Sequence, residues 1–277
     1  MGQSVADLCH EVSELQNLAR ALERASAPVR DQIPSFEPEK EPEPNTDQDP
    51  QPAPTGLHEV DTARFIDVHR RFVEEAGVTL RECHDVKLFQ TICDELQGKG
   101  YLSEPFHPEF MDIIPANALL MVGEDADGAV VHVQAMRRDD LNGVSLADFW
   151  MQNLRRIHNG DIGEVHCPAA QMITGQVIYH GEMWVDPELR KFKLAATLAR
   201  LAQAIALLRW NPDFVYGFVS SKLTQRGFPV REGYQHISPA GTNWRRSPTN
   251  ISGDDWLVWN AREDLRWMVT LPQIFSE

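Results

Sequence analysis

The stretch "VDPELRKFKLAATLARLA", residues 185–202, sets a proline just past an apolar run, follows it with Arg190, Lys191 and Lys193, and then turns apolar on nearly every side. A surface helix carries one apolar stripe and one polar face. A segment without that division reads as a buried helix, here with three cations at its mouth. The preceding "GQVIYHGEMWV" (175–185) and the following "FVYGFVS" (214–220) read as strands. Strand, helix, strand makes a βαβ unit, whose two strands are expected to be parallel and joined by a right-handed crossover. A helix start directly after a strand offers unpaired backbone N–H groups and the positive end of the helix dipole, a ready place for an anion. The three cations strengthen that field, although they also read as solvated residues with no ligand.

Working outward, residues 60–77 and 85–96 show helical spacing, and "ALLMVGEDADGAVVHVQAMRR" (118–138) reads as a hairpin around Asp-Ala-Asp-Gly. Residues 145–157 read as an inserted helix with Ser145 as N-cap, and "GYQHI" and "DWLVWNAR" supply two later strands. The sum is a mixed α/β sheet.

The N-terminal region differs. Val5, Leu8, Val12, Leu15, Ala19 and Leu22 follow a heptad pattern, so residues 1–27 are expected to form a short coiled-coil helix that needs a partner. A second copy, a groove on another protein or its own domain would each serve, through residues 5–24. Residues 28–56 form an acidic, proline-rich linker with the composition of a disordered tether; residues 33–56 hold seven prolines, six acids and one lysine. The globular domain is placed at 57–277.

The net charge of −15 opposes unspecific binding to nucleic acid or anionic membrane. No apolar run is long enough to span a bilayer. Four scattered cysteines without CxxC spacing read as reduced thiols and so as a cytoplasmic protein. No HxxxH, HExxH or CxxC spacing exists, so no metal site is expected. P-loop and GxGxxG signatures are missing as well.

Strand alternation would put Ile178, His180, Glu182 and Trp184 on one face, with His180 and Glu182 as a possible base and its orienting partner, or as two solvated polar groups. The order of elements, "VDPELRKFKLA" and the pair Gly227-Phe228 with Gly233-Tyr234 together resemble the GNAT superfamily of acyl-CoA-dependent N-acyltransferases. The likeness spans about residues 118–262. Val185, Pro187, Arg190 and Ala195 match its pyrophosphate motif, while Lys193 replaces the usual first glycine and Leu223 replaces the usual leaving-thiolate tyrosine.

The resemblance implies a mixed, mostly antiparallel sheet with a central splayed parallel pair and flanking helices. It further implies acetyl-CoA or another acyl-CoA as co-substrate, bound by Met183, Trp184, Val185, Arg190, Lys191, Phe192, Lys193, Leu194, Ala195 and Ala196. A small-molecule or protein amine would be the acceptor, with Glu182 as base, His180 beside it, and Ser220, Ser221 or Tyr216 in place of the missing tyrosine. The 145–157 helix would line the acceptor side or lengthen an acyl pocket, as in long-chain signal synthases that draw on an acyl carrier protein. Three other functions stay open: a silent interaction module on the N-terminal helix, such a long-chain synthase, and a phosphate-ligand sensor.

Overall fold

The computed structural model describes residues 58–158, 161–163, 167–192, 194–239, 241–242, 244–246 and 253–271. The heptad segment, the linker and Lys193 lie outside them.

A seven-stranded sheet runs in the order β1 (Thr79–Glu82), β2 (Ala118–Glu124), β3 (Val130–Leu141), β5 (Gly175–Val185), β6 (Phe214–Val219), β9 (Trp256–Ala261), β7 (His236–Ser238). Every neighbouring pair is antiparallel except β5 and β6, which are parallel. The fold is therefore GNAT-like, as expected. A separate ribbon joins β4 (Asp161–Ile162) to β8 (Trp244–Arg246).

The β2–β3 hairpin turns where Asp125 Oδ1 accepts the amides of Asp127 and Ala129, with Gly128 at φ +80°. Ser145 Oγ accepts the Asp148 amide and donates to its carboxylate, capping α3 (Leu146–His158). β1 and the last helix, α8 (Arg262–Thr270), have no counterpart in the sequence reading.

Strand alternation divides the core. Leu119, Met121, Met136, Ile178, Val215 and Val258 face α1 (His58–Glu75), α5 (Leu194–Trp210) and α8. The opposite face packs on α2 (Val86–Glu95), α3 and the short helix α4 (Pro168–Met172). α5 is apolar all round because it lies between the sheet and two other helices, and Ala202, Ala204 and Ala206 let its backbone come close. α3 does not line the cleft through Trp150. That ring packs behind Phe218 at 4.9 Å and is 1% exposed.

Candidate active site

β5 and β6 share only three parallel register pairs, Val177 with Phe214, Ile178 with Val215 and Tyr179 with Tyr216. Beyond them β5 continues along β3 and β6 along β9, so their facing edges separate. The anchored end is tight. Asp213 accepts the Gln176 amide at 2.7 Å and the Arg262 guanidinium at 2.5 Å. At the point of divergence stands Gly217, where a Cβ would lie 2.9 Å from the His180 carbonyl oxygen and 3.5 Å from the Tyr234 hydroxyl. A cleft of about 870 Å³ opens from there, a size suited to a small ligand.

β5 is not a regular strand. Val133 faces Trp184 and Ala135 faces Gly181, so Gln134 alone stands opposite Glu182 and Met183. This is a β-bulge, and Glu182 adopts a left-handed φ of +58° within it. The bulge reverses the pleat, which corrects the shared face expected for His180 and Glu182. His180 points with Ile178 toward α5, whereas Glu182 points to the opposite side among Lys99, Ser103 and Trp184.

On the α5 side the polar groups form a neutral chain. Gln134 Nε2 donates to the Leu198 carbonyl at 3.0 Å, leaving Gln134 Oε1 to accept from His180 Nε2 at 3.2 Å. His180 Nδ1 is thereby an acceptor, and the Tyr234 hydroxyl donates to it at 2.8 Å. Burial, helped by nearby His132, pushes the imidazole down to about 3, so it stays uncharged. Burial also drives the Tyr234 phenol well above its usual range, keeping its proton in place.

Two residues earlier, Glu232 lines the same cleft. It is 4% exposed, and its carboxyl has no hydrogen bond or ion pair among the described residues. Burial pushes this carboxyl up to about 8, against a smaller lowering from Arg231. The segment is held from behind: Gln203 donates to the Glu232 carbonyl, and Asn260 donates to the Gly233 carbonyl and accepts the Gln235 amide. Gly233 sits at φ +91° with the Met268 sulfur 2.9 Å from where a Cβ would be, so glycine is required there. Sequence reading used Gly233-Tyr234 only as a pattern and missed Glu232. The one available signal was an acid directly before the glycine.

On the other side the groups are charged and locked. Glu182 accepts from Lys99 Nζ, from the Ser103 hydroxyl and, at 3.2 Å, from the Ser103 amide. The Glu182 side chain is 3% exposed and that of Lys99 11%. Both line the cleft beside Tyr101 and Ser103.

The expected anion cradle is built differently from the sequence reading. A 3₁₀ turn, Pro187–Phe192, intervenes before α5 begins at Leu194, so Arg190 and Lys191 stand on that turn and not on the first turn of the α-helix. Met183, Trp184, Val185, Arg190, Ala195 and Ala196 line the cleft. Leu194 does not: it is fully buried against Val73 and Val78. The Val185 carbonyl already accepts from Arg190 Nε at 3.0 Å. Ser220 and Leu223 line the wall, and Ser220 caps no amide with its side chain. Tyr216, in contrast, is 2% exposed and packs against Trp150.

No protein-family model and no curated protein matches the chain. Among solved structures, a spermidine/spermine N-acetyltransferase from Vibrio cholerae is 12% identical, with a TM-score of 0.37 over 68% of this chain and 94% of that one. An N-acyl amino acid synthase from uncultured soil microbes is 11% identical, with a TM-score of 0.42 over 72% of this chain and 98% of that one. These are likenesses in the path of the chain; the GNAT-like fold assigned above rests on sheet order and register.

Proposed function

We propose that the chain is an acyltransferase that moves an acyl group from a CoA thioester to an amine. The observation that carries this reading is the parallel pair that stops after three register positions, leaving a gap between two strands with reactive side chains on both sides of its vertex. A pantetheine arm is a thin, amide-bearing chain, and strand edges without partners offer it backbone donors and acceptors. Arg190, with the amides at the start of α5, would face the pyrophosphate.

With the thioester at the vertex, the amine approaches from the Glu182 side and sulfur leaves toward the α5 side. Tyr234, whose hydroxyl donates to His180 Nδ1 at rest, turns to the departing thiolate, gives it that proton and takes the part left open by Leu223. Glu232, whose proton affinity lies near neutrality, returns that proton or drains it to solvent. Glu182 receives the amine's proton once the ammonium of Lys99 moves off it. Desolvation between the strands strengthens each of these interactions.

Calorimetric titration of the full chain with acetyl-CoA and with a long-chain acyl-CoA, followed by thiol release with a panel of amines, tests the proposal. Binding of either donor and amine-dependent thiol release are expected. Absence of heat and of thermal stabilisation with both donors at millimolar concentration overturns it.

A further inference from the structure

We propose that Lys99 is a self-acylation site: before any external amine is used, the acyl group of a thioester in the cleft passes to Lys99 Nζ. The inference rests on the acyl-transfer reading above and adds an acceptor within the chain itself.

Lys99 already occupies the position an acceptor amine needs. Its Nζ rests on the Glu182 carboxylate and donates to the Tyr101 carbonyl at 2.6 Å. Its side chain is a primary ammonium in the cleft wall, on the side from which attack would come, opposite Tyr234. The loop is shaped to put it there. Gly98 and Gly100 both have left-handed φ angles, +81° and +84°, on either side of the lysine. The Leu102 amide is anchored on Asp94 and Ser103 on Glu182, so the loop is tied to the bulge across some eighty residues of sequence. The other lysines whose side chains are described differ: Lys87 and Lys222 are exposed and neither lines the cleft.

The step balances. Glu182 takes a proton from the Lys99 ammonium, and the freed amine lone pair forms a C–N bond to the thioester carbonyl carbon. The C–S bond then breaks, and the thiolate takes the proton of Tyr234. The second nitrogen proton passes through cleft water to the Tyr234 oxygen and restores the phenol, and the proton held by Glu182 is released to solvent. The amide nitrogen has thus lost two protons, the thiol has gained one, and one proton is released overall. The acylated Nζ carries no charge and leaves Glu182, which keeps both Ser103 donors and turns toward cleft solvent. Self-acylation thus vacates the carboxylate for external amines.

The test incubates the full chain with acetyl-CoA, and separately with decanoyl-CoA, without amine, and maps acylated lysines by peptide mass spectrometry. One acyl group on Lys99 is expected, at least about tenfold above Lys87 and Lys222, because the bound donor and lysine react as one molecule. The rate constant should not change with protein concentration, and heat-denatured chain should show only background. A donor that binds and acylates a free amine while Lys99 stays unmodified overturns self-acylation and leaves the transferase reading standing. If neither donor binds, both readings fall. K99Q, which resembles the acylated side chain, is expected to turn over external amine without the lag that wild type shows. Equal lags in the two proteins would argue that acylation of Lys99 does not prime the site.

Discussion

On the α5 side of the β5–β6 gap, Gln134, His180 and Tyr234 are uncharged and joined donor to acceptor, whereas on the other side Lys99 and Glu182 carry opposite charges, Glu182 pinned by Ser103 and Lys99 by the Tyr101 carbonyl. The neutral chain has one consistent proton arrangement, which points the Tyr234 proton at His180 Nδ1 and leaves the hydroxyl oxygen in the cleft wall. The charged pair has a member that another ammonium can replace. One side therefore fixes a proton, and the other is open to exchange.

The largest effect is expected from filling the gap that both sides share. Gly217→Val places a side chain against the His180 carbonyl, and turnover should fall by about 10²-fold or more, with donor binding lost in calorimetry and the circular dichroism of the folded chain retained. Tyr234→Phe breaks the neutral side alone. It should lower kcat by roughly 10²-fold with little change in KM, read by steady-state kinetics. Equal loss from Ser220→Ala would transfer the role to that hydroxyl.

Asn260→Ala acts from behind the same side, leaving the Gly233 carbonyl and Gln235 amide unpaired; a loss of about 2–3 kcal/mol in urea unfolding is expected. Titration sharpens the contrast further. Burial lowers His132 and His180 from 6.5 to about 4 and about 3, so the stability they contribute is complete above pH 6.5 and is lost on acidification through those values. Burial raises Glu232 from 4.5 to about 8, so its contribution is complete below pH 4.5 and is lost as pH rises through 8. Urea midpoints across pH should fall at both ends, and Glu232→Gln should flatten the alkaline limb only. Smallest is Arg190→Ala at the mouth, expected to weaken donor binding by roughly fivefold, with the difference shrinking as salt rises.

Much of the frame was legible because it depends on periodicity. The hairpin at 118–138, the strand–helix–strand unit and the capped helix after Ser145 follow from apolar spacing and turn residues. The site was less legible because it depends on exceptions to periodicity. Glu182 holds a left-handed φ that a glycine would have advertised, and this single bulge separated two residues that alternation had placed together. Its partners Lys99 and Ser103 come from a loop about eighty residues away, with no pattern of their own. Glu232 and Tyr234 gain their properties from burial, set by Gln203 and Asn260 on two other elements. The 3₁₀ turn at Pro187–Phe192 moved two cations off the helix they seemed to begin.

The short register between β5 and β6 works as a depth gauge. Strand rise is about 3.3 Å per residue in a parallel pair, so each further pair would carry the vertex that distance toward the mouth, and each pair lost would carry it inward. How far an inserted molecule reaches is thus written in backbone pairing at the far, clamped end, where Asp213 and Arg262 stand, and not only in the side chains that touch it.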